Sequence, residues 1–488
     1  MLITSTYPAM LAGHESGRTG LSLTLEAIRD LVPEGSGLHV LPFGPSSGDS
    51  GFACDDWVAC DPELASWSDI GTAAARYRLI VDGIYNHVGK GHRWVRELAD
   101  SGAAHEARRL FHTRSAVGTP TASLGPRGWN RYQPCPGSAG RLEIVQTFSE
   151  AAFDIDLDDS SVQAEIDRHL SQLAKHGVHG VRLDAPAYYG KDPSGPVRHN
   201  PESARLLGAI VPRVEAHGLS PYPQLDVDAQ TLMYEPALRD SAAILTDLAF
   251  PAVIYSALDR GDPELIARHV TEAGERGWTA LRGFRTHDGI LLRSHSIRPR
   301  HLEILGPLAR RAGGEFRVVD GNVYELNLSA TRILRAIFPL DPIRVAKLAT
   351  ALCAFASLNP CVYLPALVGF EPEALERLDA DADPRGLNRV PLPSYFWNSP
   401  ETRRTRREMR ELLEAMAAVA NAWAEVGGGP SMALQGSCFE VSAGSHGLIA
   451  NLGRMTVMPR PFGVDSILYS SGEASDGLGP YSFAVVTQ

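Results

Sequence analysis

The stretch GVHGVRLDAP, residues 177–186, places an arginine and an aspartate two residues apart inside an otherwise apolar run. A buried charge is costly unless it is paired, so Arg182 and Asp184 are expected to be partners. The preceding segment, SVQAEIDRHLSQLAKHG (161–177), has the apolar spacing of an amphipathic helix. A helix followed by a short apolar run is typical of an α/β unit with parallel strands.

Runs of the same kind recur along the chain. Alternation of such runs with helical patterns, as in PESARLLGAIVPRVEAHG (201–218), predicts parallel strands joined by crossover helices. Eight of them predict an α/β fold, a closed (β/α)8 TIM barrel. The eight runs are MLITSTY (1–7), LHVLPF (38–43), YRLIVDGIYNH (77–87), VHGVRLDA (178–185), YPQLDVD (222–228), AILTDLAF (243–250), WTALRGFRTHDG (278–289) and CVYLPALVG (361–369).

Two gaps between these runs are too long for plain crossovers, and long loops in a compact domain usually carry function or form small subdomains. The chain also changes character after a helical pattern that ends in glycines, and short strand-like runs follow. The predicted division is a barrel in 1–89, 151–289 and 346–429, a loop-rich inserted subdomain in 90–150, a second inserted subdomain in 290–345, and a C-terminal β-domain in 430–488.

The composition limits which classes of partner and cofactor can be expected. The formal net charge of −11 argues against nucleic acid and anionic membranes as main partners. No apolar run reaches about 18 residues, and the start MLITSTYPAM lacks the features of a secretory signal, so a cytoplasmic protein is expected. The six cysteines form no CxxC pair, which predicts free thiols and no zinc site. We expect no cofactor and no metal, and oligomeric state is not readable.

Ionisable side chains lie at the ends of four predicted strands. Because the active site of such a barrel lies at the C-terminal ends of its strands, these groups are expected to converge on one mouth. Cleavage of a glycoside needs one carboxylate to attack the anomeric carbon and another carboxyl group to protonate the leaving oxygen. The groups are Asp82, Asn86 and His87 on the third strand, Arg182 and Asp184 on the fourth, Asp226 and Asp228 on the fifth, and His287 and Asp288 on the seventh.

Each motif also has a purely structural explanation. DGIYNH can be a turn with a capping Asn86 and a packed His87, RLD can be a buried ion pair, and HDG is a common turn. Together, at the ends of three strands, they are harder to explain as structure, because burying several ionisable groups in one mouth is costly unless chemistry uses them. The pattern therefore favours a small carbohydrate substrate.

Three segments resemble conserved regions of the α-amylase superfamily, glycoside hydrolase family 13: DGIYNH (82–87), GVRLDA (180–185) and THDG (286–289). Within that superfamily the sequence is most similar to the sucrose phosphorylase group, through GLHVLPFGPSSGDSGFACDDW (37–57), VYELNLSATRILRAI (323–337) and PRGLNR (384–389). The resemblance covers nearly the whole chain. It implies the barrel fold and a retaining enzyme that processes α-glycosides.

The resemblance also implies roles for individual residues. Asp184 matches the nucleophile that forms a covalent glycosyl ester, and Arg182 matches the arginine that keeps that carboxylate ionised and oriented. Asp288 matches the acid that stabilises the oxocarbenium-like transition state. The positions assigned to substrate binding are His87, Arg182, Tyr188, His287, Arg385, Phe52 and Asp228.

The sequence departs from the family pattern at the general acid/base. That residue is a glutamate ending the fifth strand, and PYPQLDVDAQ (221–230) contains no glutamate. We assign Asp226 to the position, with Gln224 and Asp228 as competing registers. An aspartate is one methylene shorter, so Asp226 has to reach the glycosidic oxygen by a backbone adjustment to act as the acid.

Two further departures concern the substrate. Ala53 stands where the group has an aspartate that contacts the glucosyl ring, with Asp55 and Asp56 nearby. Gln133 and Cys135 replace both arginines of the phosphate loop, and neutral side chains cannot supply that charge, although Arg131 is close.

Three functions stay open. The favoured one is a retaining hydrolase or transglycosylase that acts by double displacement through a covalent glycosyl–Asp184 intermediate. The alternatives are an α-glucoside phosphorylase of the sucrose type with shifted phosphate contacts, and a catalytically weak or inactive homologue that binds sugar.

Overall fold

The computed structural model contains a barrel-like sheet of eight parallel strands, which confirms the predicted fold class. We number these strands β1 to β8 in chain order; the sheet order is β5-β4-β3-β2-β1-β8-β7-β6. Backbone hydrogen bonds from Ile244 to Pro221 (3.2 Å) and from Thr246 to Leu225 (3.0 Å) link the two outer strands and close the barrel. The strands are Ile3–Thr6, Gly37–Val40, Arg78–Gly83, Gly180–Leu183, Ser220–Pro223, Leu245–Thr246, Ala280–Arg282 and Asn359–Tyr363.

The structure describes most of the chain. The described residues are 1–12, 17–101, 106–114, 132–135, 142–191, 196–275, 277–294, 296–297, 299–319, 322–371, 384–426, 431–443, 445–457, 466–471 and 478–487.

The helix before β4 shows how local sequence builds the crossovers. It spans Ser160–Lys175 and begins where the Asp159 side chain accepts a hydrogen bond from the Ser161 amide. Val162, Ile166 and Leu170 follow at fourfold spacing and are all buried, so one apolar face packs on the sheet. The chain then enters β4, in which all four residues are buried. This packing fixes where β4 ends and therefore where Asp184 lies.

The other helices surround the barrel or lie in its connections. They are Gly20–Ala27, Trp67–Arg76, Arg93–Ser101, Pro201–Ala216, Glu235–Leu238, Phe250–Arg260, Glu264–Gly274, Pro299–Ala312, Ala330–Ile337, Pro342–Ala356, Leu364–Leu367, Ser394–Trp397 and Pro400–Val426. Short 3-10 helices span Ile28–Asp30, Asp49–Gly51, Glu106–Leu110, Pro186–Tyr188, Ala229–Tyr234 and Pro384–Asn388.

The described residues also form five smaller sheets outside the eight-stranded sheet. A C-terminal antiparallel sheet contains Ser431–Gln435, Cys438–Ala443, His446–Asn451, Ser466–Ser470 and Phe483–Thr487. A three-stranded sheet contains Ile290–Leu291, Glu315–Val319 and Asn322–Asn327, and three pairs join Leu11–Ala12 to Leu392–Pro393, His87–Gly89 to Ala152–Asp154, and Tyr132–Pro134 to Glu143–Val145. The C-terminal sheet confirms that part of the predicted fold class, whereas the predicted domain boundaries stay predictions.

Two global features accompany the fold. All six cysteines are free thiols, five of them buried. Within the described ranges, no helix is both long and apolar enough to cross a membrane.

Candidate active site

The buried pair of residues 182 and 184 lies at the C-terminal end of β4. The register of β3 against β4 places Asp82 opposite Arg182, and the guanidinium donates to both Asp82 and Asp184, the latter at 3.2 Å. Asp82 also bonds to the His39 ring at 3.1 Å. One arginine thus holds two carboxylates, of which Asp184 faces the central cavity and Asp82 does not.

The two carboxylates differ in pKa because they differ in partners. Burial raises the pKa of Asp184 to about 6, since the lowering effect of Arg182 is opposed by the negative charges of Asp82 and Asp288. Burial acts in the same direction on Asp82, but Arg182 and His39 together lower its pKa to about 2. Arg182 lowers the pKa of Asp184 as the sequence led us to expect, yet burial outweighs it. At neutral pH Asp184 is still mainly ionised and is a competent nucleophile.

Asp288 follows β7 and lines the same cavity as Asp184. Arg385 lies 3.1 Å and Arg389 3.0 Å from its carboxylate. Burial alone would raise the pKa of Asp288, but the charges of Arg385 and Arg389 hold it well below its ordinary value. Asp288 therefore stays a carboxylate and is suited to stabilising positive charge at the anomeric carbon.

The two histidines assigned to sugar binding also line the cavity. His287 stacks on the Phe52 ring with centroids 5.1 Å apart, and burial lowers its pKa to about 3. The Nε2 atom of His87 lies 2.8 Å from the Phe52 carbonyl oxygen. A carbonyl only accepts, so Nε2 donates and Nδ1 carries the lone pair. Burial lowers the pKa of His87 as well, so both rings are neutral and can bind sugar hydroxyl groups.

The cavity wall also contains residues that the sequence reasoning missed. Arg389 bonds to Asp49 at 3.0 Å, and Asp49 itself lines the cavity from a left-handed conformation with φ +54°. Asp49 thereby supplies an acid to the cavity wall, which Ala53 does not line. Arg385 is paired with Glu325 at 2.9 Å. The sequence signals that could have identified these residues were Arg389, the second arginine of PRGLNR, and Asp49, the acid four residues before Ala53.

The nearby acids Asp55 and Asp56 face the loop backbone instead of the cavity. Asp55 accepts from the Ser47 hydroxyl at 2.7 Å and the Gly91 amide at 2.8 Å, and Asp56 accepts from the Val58 amide at 2.8 Å. Neither replaces the acid lost at Ala53.

The end of β5 places Gln224, one of the three competing registers, in the cavity wall. Gln224 follows the strand directly, and its backbone amide donates a hydrogen bond to the Leu183 carbonyl oxygen at 3.0 Å. Its side chain lines the cavity. Its side-chain oxygen accepts from the Ala185 amide at 3.1 Å. A neutral amide therefore lies in the cavity wall together with Asp184.

The structure does not bring Asp226 or Asp228 to the cavity, although both were assigned to the site. Both side chains are wholly buried. Asp226 accepts from the amides of Val227 (2.9 Å) and Leu248 (3.1 Å), and burial raises its pKa to about 6. Asp228 caps a 3-10 helix by accepting from the Gln230 amide at 2.9 Å. The physical reason is that backbone amides beyond β5 bind both carboxylates: those of Val227 and Leu248 hold Asp226, and the first turn of the 3-10 helix Ala229–Tyr234 holds Asp228.

The remaining assigned residues divide in the same way. Tyr188 and Arg385 line the cavity, as does Phe52. Gln133 and Cys135 do not: Gln133 lies in the short strand Tyr132–Pro134, and Cys135 is buried directly after it. Arg131 lies outside the described residues. No group of three or more metal-ligating side chains occurs among the described residues.

Comparisons with known proteins agree with this geometry. Residues 48–218 match the alpha-amylase catalytic domain family. The chain is 26% identical over 371 residues to a glucosylglycerate phosphorylase of Allomeiothermus silvanus, covering 72% of this chain and 66% of that protein. It is also 26% identical over 320 residues to a sucrose phosphorylase of Agrobacterium vitis, covering 60% and 64%. The matched region thus spans about two thirds of the length of these relatives.

Solved structures share the fold. The crystal structure of sucrose 6F-phosphate phosphorylase from Thermoanaerobacter thermosaccharolyticum superposes with a TM-score of 0.76 at 19% identity, covering 92% of this chain and 94% of that one. An isomaltulose synthase mutant from Erwinia rhapontici in complex with sucrose gives 0.71 at 14% identity, covering 100% and 98%.

Proposed function

We propose that this protein, a relative of the sucrose and glucosylglycerate phosphorylases within the α-amylase superfamily, is a retaining enzyme that acts on an α-glucoside. In this reaction the Asp184 carboxylate attacks the anomeric carbon and forms a covalent glucosyl ester, which an acceptor then resolves. The supporting observation is that Asp184, held by Arg182, lines the same cavity as Asp288.

The cavity supplies the other requirements of that reaction except one. Asp288 is held ionised by two arginines and stabilises the charge that develops on the sugar. His87 and Asp49 both line the cavity and offer hydrogen-bonding atoms to the sugar ring. Among the described residues of the cavity wall, the missing element is a carboxylic acid that could protonate the leaving oxygen, since we assign the acid position to Gln224 and an amide cannot donate a proton in this way.

Covalent trapping tests the proposal because a fluoride leaving group needs no proton donor. We expect 5-fluoro-α-D-glucosyl fluoride to add one sugar to the intact protein, and peptide mapping to locate it on Asp184. Asp184→Asn should abolish the adduct, whereas Asp240→Asn, on an exposed residue, should leave it unchanged. Absence of an adduct on the wild type, or an adduct at another residue, overturns the assignment.

The acceptor of the second step separates the phosphorylase from the hydrolase or transglycosylase. The relatives named above favour phosphate, whereas Gln133 and Cys135 lie away from the cavity and carry no charge. Turnover of α-D-glucosyl fluoride with and without phosphate decides. Phosphate-dependent formation of glucose 1-phosphate identifies a phosphorylase, and equal rates exclude it.

Gln224 also favours a second candidate function, a sugar-binding protein that has lost catalysis. An α-glucoside that binds to the protein, measured by calorimetry, together with no trapped adduct, would support that candidate.

A further inference from the structure

Arg198 is the arginine of the cavity wall without a carboxylate partner. Arg385 and Arg389 are each paired with two acids. By contrast, no described residue places a carboxylate oxygen within 4.0 Å of the Arg198 guanidinium or accepts a hydrogen bond from it. An unpaired guanidinium beside a cavity is a ready binding group for an anion, because its planar fork matches an oxyanion.

Arg198 belongs to a polar cluster on one side of the cavity. The hydroxyls of Tyr188 and Tyr324 are 3.1 Å apart, and both tyrosines line the cavity together with Arg198. A second arginine, Arg293, stacks on the outer side of this pair, 5.4 Å from the centre of the Tyr324 ring. Two positive charges therefore flank the tyrosine pair.

A structural explanation for Arg198 is that it balances Asp226 and Asp228, whose charges act on it from a distance. These acids, however, have other partners that are closer: the Val227 amide for Asp226 and the Gln230 amide for Asp228. Neither is within ion-pair distance of Arg198 in the described structure. A purely structural role of Arg198 would change the rates with all donors equally, whereas a role in binding the oxyanion would change the rates with the oxyanion donors alone.

The second observation is that the described cavity wall has no carboxyl or imidazole group suited to protonating a leaving oxygen. Its two phenols, Tyr188 and Tyr324, are hydrogen-bonded to each other, and burial raises the pKa of Tyr188 well above its ordinary value. The amide of Gln224 is neutral. The acids of the described wall are each bound to arginine: Asp49, Asp247, Asp288 and Glu325. These charges hold the pKa of Asp288 well below its usual value. His287 and His87 are neutral rings, and Asp184 is the nucleophile.

Resting on the proposed function, we infer that the donor carries an oxyanion leaving group, either a carboxylate or a singly protonated phosphate, that departs against Arg198 without receiving a proton from the protein. The reason is the basicity of the leaving group. The conjugate acid of a carboxylate has a pKa of about 4, and that of a phosphate dianion has a pKa of about 6. An alkoxide resembles hydroxide, whose conjugate acid, water, has a pKa of about 15.7. Only the first two leave readily unprotonated.

The steps balance without an added acid or base. Asp184 forms a bond to the anomeric carbon, and the bond from that carbon to the leaving oxygen breaks with its electron pair on the oxyanion. A phosphate leaves as the dianion and keeps the proton that it already carried. An incoming oxyanion then attacks the same carbon with no proton to lose, and the electron pair of the ester bond returns to Asp184. The resulting activity exchanges one oxyanion for another on the sugar.

The experiment compares four donors on the full chain: 1-O-acetyl-α-D-glucose, α-D-glucose 1-phosphate, α-D-glucosyl fluoride and methyl α-D-glucoside. The wild type should use at least one of the first two and should not use the methyl glucoside measurably. Arg198→Met should lower kcat/KM for the oxyanion donors by about 10- to 100-fold, the loss of one charged hydrogen-bonding group, and for the fluoride by less than threefold. Arg300→Met, on an exposed surface ion pair, is the matched control and should change none of these rates.

The outcomes separate the sources and the failures. If only the acetyl donor is used, the leaving group is a carboxylate; if only the phosphate donor is used, it is a phosphate. Either result supports the inference, as does use of both donors. It is overturned if the wild type uses the methyl glucoside as well as the oxyanion donors, uses neither oxyanion donor while it turns over the fluoride, or if Arg198→Met slows all donors equally, as a structural role predicts. Failure with the fluoride itself counts against the proposed function instead.

Discussion

Replacing Gln224 with glutamate should restore an acid at the end of β5. The two side chains have the same shape, and the oxygen that accepts from the Ala185 amide at 3.1 Å is present in both. The change therefore adds an ionisable group to the cavity wall without removing a contact. Because the new carboxyl group lies beside Asp184, whose pKa is already about 6, repulsion between the two should raise the pKa of the glutamate and keep part of it protonated near neutral pH.

The expected magnitude follows from what a positioned acid contributes. General acid catalysis accelerates a reaction by about 100- to 10,000-fold, and the benefit grows with the basicity of the leaving group. Gln224→Glu should therefore raise kcat/KM for methyl α-D-glucoside by at least about 100-fold and leave α-D-glucosyl fluoride within a few-fold of the wild type. A plot of log kcat/KM against leaving-group pKa should become flatter in the variant.

Asp226→Asn is the matched comparison, because it tests the other register by the same assay. Asp226 does not line the cavity, so this variant should keep the wild-type dependence on leaving group. The reasoning is refuted if Gln224→Glu folds, reacts with the fluoride and gains nothing on the methyl glucoside. It is also refuted if Asp226→Asn removes activity on donors with basic leaving groups, which would make Asp226 the acid.

Three further predictions follow from the charges of the cavity. The rate of trapping by the fluoro sugar should fall about tenfold per pH unit below pH 6, measured by intact mass over time, because protonation removes the Asp184 nucleophile and Asp288 does not titrate there; a flat profile down to pH 4 contradicts this. Asp49→Asn keeps a residue that tolerates positive φ but weakens the hold on Arg389, so KM for the fluoride should rise about tenfold with little loss of thermal stability; an unchanged KM contradicts it. Asp184→Asn should stabilise the fold at pH 7 by up to about 3 kcal/mol in urea unfolding, since the pKa of Asp184 rises from 3.8 to about 6 on folding; the advantage should shrink as pH falls from 6 to 4, where wild-type Asp184 gains its proton, and a less stable variant contradicts it.

The sequence was sufficient for the barrel because its strands are short apolar runs set off by capped helices. Each of the eight predicted runs contains or overlaps a strand, as VHGVRLDA contains Gly180–Leu183. Asp184 and Asp288 could be predicted because each lies near the C-terminal end of such a run, and strand ends of a parallel barrel meet at one face.

The end of β5 could not be read in the same way. The run YPQLDVD offers three polar residues, and a search for an acid selects Asp226, whereas the strand ends at Pro223 and leaves Gln224 at the wall. The strand length, and not the chemistry of the side chains, decides the register. Asp49 was equally hidden, since its place in the cavity depends on a turn with positive φ and on an arginine 340 residues later in the chain.

The strain and charge around Asp184 argue that this site still performs chemistry. Ala185 has a left-handed backbone with φ +43°, which costs a residue with a Cβ about 1–2 kcal/mol, and the buried Asp184 carboxylate opposes folding at neutral pH. A protein that only binds sugar would be more stable with glycine and asparagine at these two positions. Gln224 preserves the hydrogen bond that holds Ala185 and lacks only the transferable proton of a glutamate. Under the proposed function, the nucleophile is thus kept in place at a cost without a carboxylic acid at Gln224, and this combination is useful for donors whose leaving groups need no proton.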